Sequence, residues 1–222
     1  MSSLRSVLIG LSKNPLVLQV RKRTFPGTTE YWEDRYAKGG TSGLGSYGRE
    51  AEWKADIVNS WVAELGVTSV VDLGCGDGNQ LGLAKYPRYL GLDPSTTAVR
   101  LCIERFRDDR TKSFLAYDPK GLADPAGWLR GDLALSMEVI FHLIEEELFE
   151  NYMNRLFESA ERYVVICSNA TSGSEQGPTE RHRDFTKWVE RTHPEWELDR
   201  RVEPPSDINL MSSFFLYKKK PA

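Results

Sequence analysis

The chain reads as an α/β protein built on a doubly wound, mostly parallel sheet, and three observations predict it. Val70-Val71-Asp72-Leu73 is a short, largely β-branched run carrying one acid, which fits a buried strand. It breaks directly into Gly74-Cys75-Gly76-Asp77-Gly78, a turn where backbone must approach something closely, and residues 80–85 are expected to start a helix. Fifteen residues after Gly78, the run Tyr89-Leu90-Gly91-Leu92 ends in Asp93. Strand, glycine loop, helix, strand and acid form a nucleotide-type cofactor site at the carboxyl end of a first parallel strand, with Asp93 accepting from ribose hydroxyls.

The elements follow in order. Residues 1–29 hold five basic side chains, Arg5, Lys13, Arg21, Lys22 and Arg23, and no acid. The apolar run 7–11 is too short, and too broken by Gly10, for a secretory signal. The stretch is read as an extension packing on the domain or on a neighbouring subunit, with an organellar transit peptide and a membrane-surface contact as the alternatives. Residues 30–48 combine Tyr31, Trp32, Tyr36 and Tyr47 with five glycines. They are expected to form a helical and loop cap over a pocket, or, more plainly, a surface loop anchored by its rings. The chain is therefore divided into an extension and cap, 1–48, and a main domain, 49–222.

Residues 49–65 have helical periodicity, with Trp53, Ile57, Val58, Trp61, Val62 and Leu65 on the core side and Gly66 as the stop. Lys54 lies just off that stripe and is expected to be solvated, the alternative being a contact with a cofactor carboxylate. After Asp93-Pro94, Ser95 is a suitable N-cap for a helix that buries Ala98, Leu101, Cys102, Ile103 and Phe106. Residues 113–117 form a third strand ending at Asp118, and 131–136 a fourth. Acids at 145–147 open a helix that buries Leu148, Tyr152, Leu156 and Ala160. A fifth strand spans 162–167. A polar connection, 168–179, precedes a helix over 180–192 with His182, Phe185, Trp188 and Val189 on one face. Two closing strands, 196–202 and 213–217, flank a turn at Pro204-Pro205.

The spacing Asp72-x-Gly74-x-Gly76-x-Gly78 differs from the dinucleotide pattern, whose third glycine would fall at Asn79. It resembles the first motif of the class I S-adenosylmethionine-dependent methyltransferases, and Gly91-Leu92-Asp93 resembles their second. Residues 132–142 are similar to their fourth. The stretch Tyr31-Trp32-Glu33-x-Arg35-Tyr36 with Gly39-Gly40 looks like the amino-terminal cap of many small-molecule members. Gly45-Ser46-Tyr47-Gly48-Arg49, Phe141-His142-Leu143 and His182-Arg183-x-Phe185 look like members associated with bacterial surface glycans and specialised metabolites. The resemblance implies a seven-stranded sheet with a terminal antiparallel hairpin, and S-adenosylmethionine as cofactor. It assigns to the cofactor Tyr47, Asp72, Gly74, Cys75, Gly76, Gly78, Asp93, Pro94, Asp118, Ser136 and Met137. For Asp118 an adenine contact and an ordinary turn start both stand.

Methyl transfer from a sulfonium needs mainly alignment and exclusion of water. An aliphatic hydroxyl acceptor also needs a base, whereas a thiol, amine or phenol needs little help. Of the three histidines, His142 follows the fourth strand, where the acceptor is expected, and His182 is a second candidate on the acceptor side. Glu138 is the candidate carboxylate to orient His142. His193 is read as a helix-end residue. Glu138, His142, Glu145 and Glu146 cluster in sequence, but acids in a first helical turn are ordinary and no metal is expected. The expected reaction is O-methylation of a small polar molecule, with a sugar hydroxyl as one acceptor class and methylation of a thiol, amine or phenol as the alternative. A nicotinamide enzyme and a non-catalytic cofactor-binding protein are the readings from other classes.

Composition agrees. A net charge of −3 over 222 residues creates no field that favours nucleic acid. The Asn-Pro-Pro-Tyr-type tetrapeptide of nucleic-acid amino methylases is absent after the fourth strand. Three scattered cysteines, with no C-x-x-C pair, point to a reducing compartment, the cytoplasm. No apolar run has the length of a membrane span.

Overall fold

The computed structural model describes residues 25–171 and 179–221. The basic stretch 1–24 and residues 172–178 of the expected polar connection lie outside the described residues. Seven strands form one sheet: β1 (Val70–Leu73), β2 (Tyr89–Asp93), β3 (Lys112–Ala116), β4 (Gly131–Met137), β5 (Ala160–Ser168), β6 (Trp196–Val202) and β7 (Ser213–Lys219). Their order is β3-β2-β1-β4-β5-β7-β6. The first five run parallel, and β7 pairs antiparallel with both β5 and β6. The order reverses between β1 and β4, so a crevice opens at their carboxyl ends.

The strands alternate with a period of two between two apolar layers. Ala134 of β4, Val164 and Ile166 of β5, and Phe215 and Tyr217 of β7 face one layer. Leu133, Leu135, Val165, Cys167, Phe214 and Leu216 face the other. Helices α4 (Glu146–Glu158) and α5 (Phe185–Thr192) cover the first layer. Helices α2 (Gly48–Glu64) and α3 (Thr96–Arg105) cover the second. Helix α1 (Thr28–Ala37) lies before them in the cap.

Several expected elements differ in extent. After the glycine loop there is only a 3-10 turn, Gln80–Leu83. Gly82 within it, and Pro87 two residues before β2, leave no room for a longer helix. Helix α3 has its expected cap, the Ser95 hydroxyl accepting from the Ala98 amide at 3.0 Å. Its buried face, however, is Ala98, Val99 and Cys102, while Leu101 and Ile103 are 43% and 50% exposed. The helix covers the thin end of the sheet, where β3 is an edge strand, so only a narrow stripe finds a partner. On α4 the buried set is Phe149, Tyr152, Met153, Leu156 and Phe157, and Ala160 already belongs to β5.

Helix α5 is shorter than its periodicity predicts. Residues 181–184 form no regular element and are tied to the chain after β4. The Arg181 amide donates to the Phe141 carbonyl at 2.7 Å, and the Arg183 guanidinium donates to the Leu143 carbonyl at 2.6 Å. Asp184 then caps the helix by accepting from the Lys187 amide. His182 therefore does not share a helical face with Phe185 and Trp188.

One buried hydroxyl fastens the crevice to the core. Tyr152 Oη lies 2.7 Å from both the Leu73 carbonyl and Ser136 Oγ. Its single proton goes to the carbonyl, and the serine hydroxyl donates back. Tyr152→Phe strands a buried carbonyl at the end of β1. Urea unfolding is expected to show a loss of about 1–3 kcal/mol, with an unchanged slope against denaturant.

Candidate active site

The crevice holds a cavity of about 370 Å³, within the size range of small-molecule sites. Its floor is the loop after β1, with Gly74, Cys75 and Gly76. One wall is Asp93-Pro94 at the end of β2, the other is Met137 to Val139 and Phe141 to Leu143 at the end of β4, and the cap closes it from above with Trp32, Arg35, Tyr36 and residues 42–46.

Two glycines make the floor. Gly74 has φ +92°, and a Cβ there would lie 2.5 Å from Val139 Cγ2. Gly76 has φ +57°, and a Cβ would lie 2.4 Å from Ser42 Oγ. Side chains at these positions would separate floor from wall and floor from cap. Asp93, 6% exposed, holds the loop in place: Oδ2 accepts from the Gly76 amide at 3.0 Å and Oδ1 from the Ser95 amide at 2.8 Å. Burial pushes its carboxyl up to about 6, against the pull of those two amides. Each oxygen retains capacity for another donor. Asp72 accepts from Tyr89 Oη at 2.7 Å through Oδ2, while its buried Oδ1 has no partner. Burial pushes Asp72 up to about 7.

Asp77 ties the cap to the loop, a function that the sequence reading did not assign. Oδ2 accepts from the Ser42 amide and from Tyr47 Oη, both at 2.9 Å, and Oδ1 accepts from the Asn79 amide at 3.0 Å. Burial pushes its carboxyl up, but these hydrogen bonds outweigh burial and the net shift is downward. Two further contacts anchor α1. Glu33 accepts from Ser95 Oγ at 2.6 Å and from the Thr97 amide at 3.1 Å, at the start of α3. Thr28 Oγ1 donates to Glu145 Oε2 at 2.6 Å, and the Thr28 amide donates to Oε1 at 3.0 Å. The cap thus bridges both walls.

Lys54 is a correction to the expectation of a solvated side chain. It is fully buried, and its Nζ lies 2.6 Å from Glu138 Oε2. The inward face of α2 is Ala51, Lys54, Ala55, Val58, Trp61 and Val62, while Trp53, Ile57 and Leu65 are only partly buried. The i, i+3, i+4 spacing of the small residues around Lys54 carried that signal, and the large side chains masked it. Glu138 directly follows β4 at φ 58°, the one non-glycine residue with positive φ among the described residues. It does not orient His142, as expected from sequence. Its other oxygen accepts from Ser212 Oγ at 3.3 Å.

His142 closes the 3-10 turn Ile140–His142. Its Nδ1 lies 2.9 Å from the Thr179 carbonyl, which can only accept, so Nδ1 carries the proton and Nε2 presents a lone pair. Burial holds the imidazole below its ordinary value. The Trp32 ring meets it edge-on at 4.9 Å.

Of the expected site residues, Asp72, Gly74, Cys75, Gly76, Asp93, Pro94, Met137, Glu138 and His142 line the cavity. Five do not. Tyr47 is engaged with Asp77. Gly78 packs against Cys102 and Phe106 of the α3 segment. Ser136 is held by Tyr152 in the core. Asp118 heads a turn, accepting from the Lys120 amide at 2.9 Å. His182 is buried beside Phe141, and neither ring nitrogen has a partner among the described residues. Glu138, Glu145 and Glu146 are drawn to Lys54, Thr28 and Arg181 in turn. Among the described residues no group of three or more His, Cys, Asp or Glu side chains could hold a metal ion. Among them, too, no helix is long and apolar enough to cross a membrane.

No protein-family model and no curated protein matches the chain. Solved structures do. An N-methyltransferase from Bradyrhizobium japonicum, in complex with S-adenosylhomocysteine, superposes with a TM-score of 0.69 at 16% identity, over 87% of this chain and 98% of that one. Magnesium protoporphyrin IX methyltransferase from Synechocystis, with bound S-adenosylhomocysteine, gives 0.61 at 17% identity over 91% and 99%. An S-adenosylmethionine-dependent methyltransferase from Clostridium acetobutylicum gives 0.58 at 14% identity over 77% and 92%. The fold is that of the class I S-adenosylmethionine-dependent methyltransferases. The crevice described above is the switch point of this class I methyltransferase fold.

Removing the cation from the Lys54–Glu138 pair leaves a largely buried carboxylate uncompensated. Lys54→Met is expected to cost about 3 kcal/mol or more in urea unfolding, and Lys54→Met with Glu138→Gln to recover most of that loss.

Proposed function

We propose that the protein is an S-adenosylmethionine-dependent methyltransferase that methylates an oxygen of a small polar acceptor, a sugar or metabolite hydroxyl. The observation that carries this reading is Asp93, a buried carboxylate braced by the Gly76 and Ser95 amides and still able to accept from two hydroxyls beside a glycine floor. The residues fit the cofactor on independent grounds: the floor admits no Cβ at Gly74 or Gly76, and the buried Asp72 Oδ1 lacks a partner. Two of the similar solved structures contain S-adenosylhomocysteine.

When bound, S-adenosylmethionine supplies a methyl group already activated for displacement. The chain's own task is then alignment, exclusion of water and removal of a proton. Asp93 would hold the ribose and the backbone of Gly74 to Gly76 would lie along the cofactor. Trp32 and residues 42–46 would roof the site. His142 Nε2 would take the proton of the acceptor hydroxyl, its tautomer fixed by the Thr179 carbonyl. Its lowered basicity keeps it neutral, and so competent as a base, at neutral pH. Residues 1–48 are assigned to the extension and cap, and 49–222 to the cofactor-binding domain. The three free, buried cysteines suit a reducing compartment, the cytoplasm.

Titration calorimetry with S-adenosylhomocysteine is expected to give a micromolar affinity, about −8 kcal/mol. Asp93→Ala should weaken it by about 1–3 kcal/mol. A folded protein that takes up neither S-adenosylhomocysteine nor S-adenosylmethionine overturns the reading.

With an aliphatic hydroxyl as acceptor, His142→Ala is expected to lower turnover about a hundred- to ten-thousand-fold with cofactor affinity unchanged. The wild-type pH–rate profile should fall on the acid side as His142 gains a proton, at a pH below the ordinary histidine range, and the variant should lose that limb. Retention of the limb in His142→Ala excludes this residue as the base.

A further inference from the structure

Charge in the cavity is unevenly assigned. Asp77 is saturated by the cap, Asp93 braces the loop, and Glu138 is matched by Lys54. Among the described residues, Arg35 is the one cationic side chain lining the cavity. Its Nε donates to the Thr41 carbonyl at 2.6 Å, which fixes the guanidinium plane, and its two terminal nitrogens have no hydrogen-bond partner among the described residues. The guanidinium lies 5.4 Å from the centre of the Trp32 ring, and the His142 ring lies 4.9 Å from that same centre. A guanidinium held through Nε, with both terminal groups open, presents a two-pronged donor shaped for a carboxylate.

We propose that the methyl acceptor is a hydroxy-carboxylate, its carboxylate bound by the terminal nitrogens of Arg35 and its hydroxyl directed to His142 along the face of Trp32. The inference rests on the proposed function and adds the acceptor's charge to it. Burial lowers the basicity of His142, the Thr179 carbonyl and the Glu180 and Glu138 carboxylates raise it, and Arg35 adds a smaller lowering influence. The same chemistry occurs in aromatic hydroxy acids and in sugar acids.

The test uses the full chain saturated with S-adenosylhomocysteine, titrated with two matched pairs: 4-hydroxybenzoate against 4-hydroxybenzamide, and glucuronate against glucuronamide. Saturation-transfer NMR and calorimetry read the affinities. At least one carboxylate is expected to bind about ten- to a hundredfold more tightly than its amide. Arg35→Gln should erase that preference, and Arg35→Lys should restore part of it, with S-adenosylhomocysteine affinity retained; a loss of that affinity in Arg35→Gln assigns the guanidinium to the cofactor's own carboxylate and overturns the acceptor assignment. The pair that shows the preference distinguishes the aromatic from the sugar acid. Equal binding of acid and amide in both pairs, no binding of any of the four, or a preference that survives Arg35→Gln overturns the acceptor assignment while leaving the methyltransferase reading intact. Failure of the wild-type protein to bind S-adenosylhomocysteine overturns both.

Discussion

The arrangement of the site depends on one buried carboxylate. Asp93 ends β2 and accepts from two amides, one in the loop after β1 and one at the start of α3. Without it, the tip of the glycine loop would lose its tie to the neighbouring strand, because glycines resist no displacement of their own. Its desolvation is costly, and the nearby Glu33 and Asp77 carboxylates add repulsion. The two amide donors offset part of that cost, and a ligand bringing further donors would offset more. The carboxylate that organises the cleft therefore keeps acceptor capacity beyond the two amides that hold it.

The cap is an integral part of this arrangement and not a loose cover. Thr28 reaches the start of α4 through Glu145, and Glu33 reaches the start of α3. Both contacts place a carboxylate at a helix amino terminus, where the macrodipole favours it. Glu33 belongs to the cap and serves a helix of the domain, whereas Glu145 stands at the start of its own helix and is held there by Thr28 of the cap. Ser42 completes the closure from the middle, through its amide to Asp77 and its hydroxyl accepting from the Asp77 amide at 3.0 Å.

The strands were the most legible part of the sequence. Short runs such as Val70-Val71-Asp72-Leu73 and Tyr89-Leu90-Gly91-Leu92 fall at their expected positions because buried parallel strands tolerate little but β-branched and apolar residues. Helices were less legible where tertiary contacts override periodicity. Residues 181–184 continue the apparent stripe of α5, yet Arg181 and Arg183 hold them out of the helix, against the chain after β4. Lys54 was misread because a charged residue was assumed to face water, although its ion pair partner, Glu138, lies 84 positions away and no local pattern reveals it. For the site, motif spacing located Asp72, Gly74, Gly76 and Asp93 at the cavity. It did not separate them from Gly78 and Ser136, whose neighbours in sequence line the cavity while they themselves pack into the core.

Glu138 has a consequence for how this chain can change over time. Its φ of 58° is a conformation that glycine or asparagine adopts at little cost and that a glutamate adopts with strain. Selection for thermostability alone would favour Gly or Asn at position 138, provided that Lys54 were replaced by an apolar residue in the same lineage. Either exchange made singly is penalised, one by an unpaired ammonium and the other by an unpaired carboxylate. The two positions are therefore expected to evolve as a unit, and a retained Lys–Glu combination among relatives would mark lineages in which the cleft, and not the stability of the fold, has been under selection.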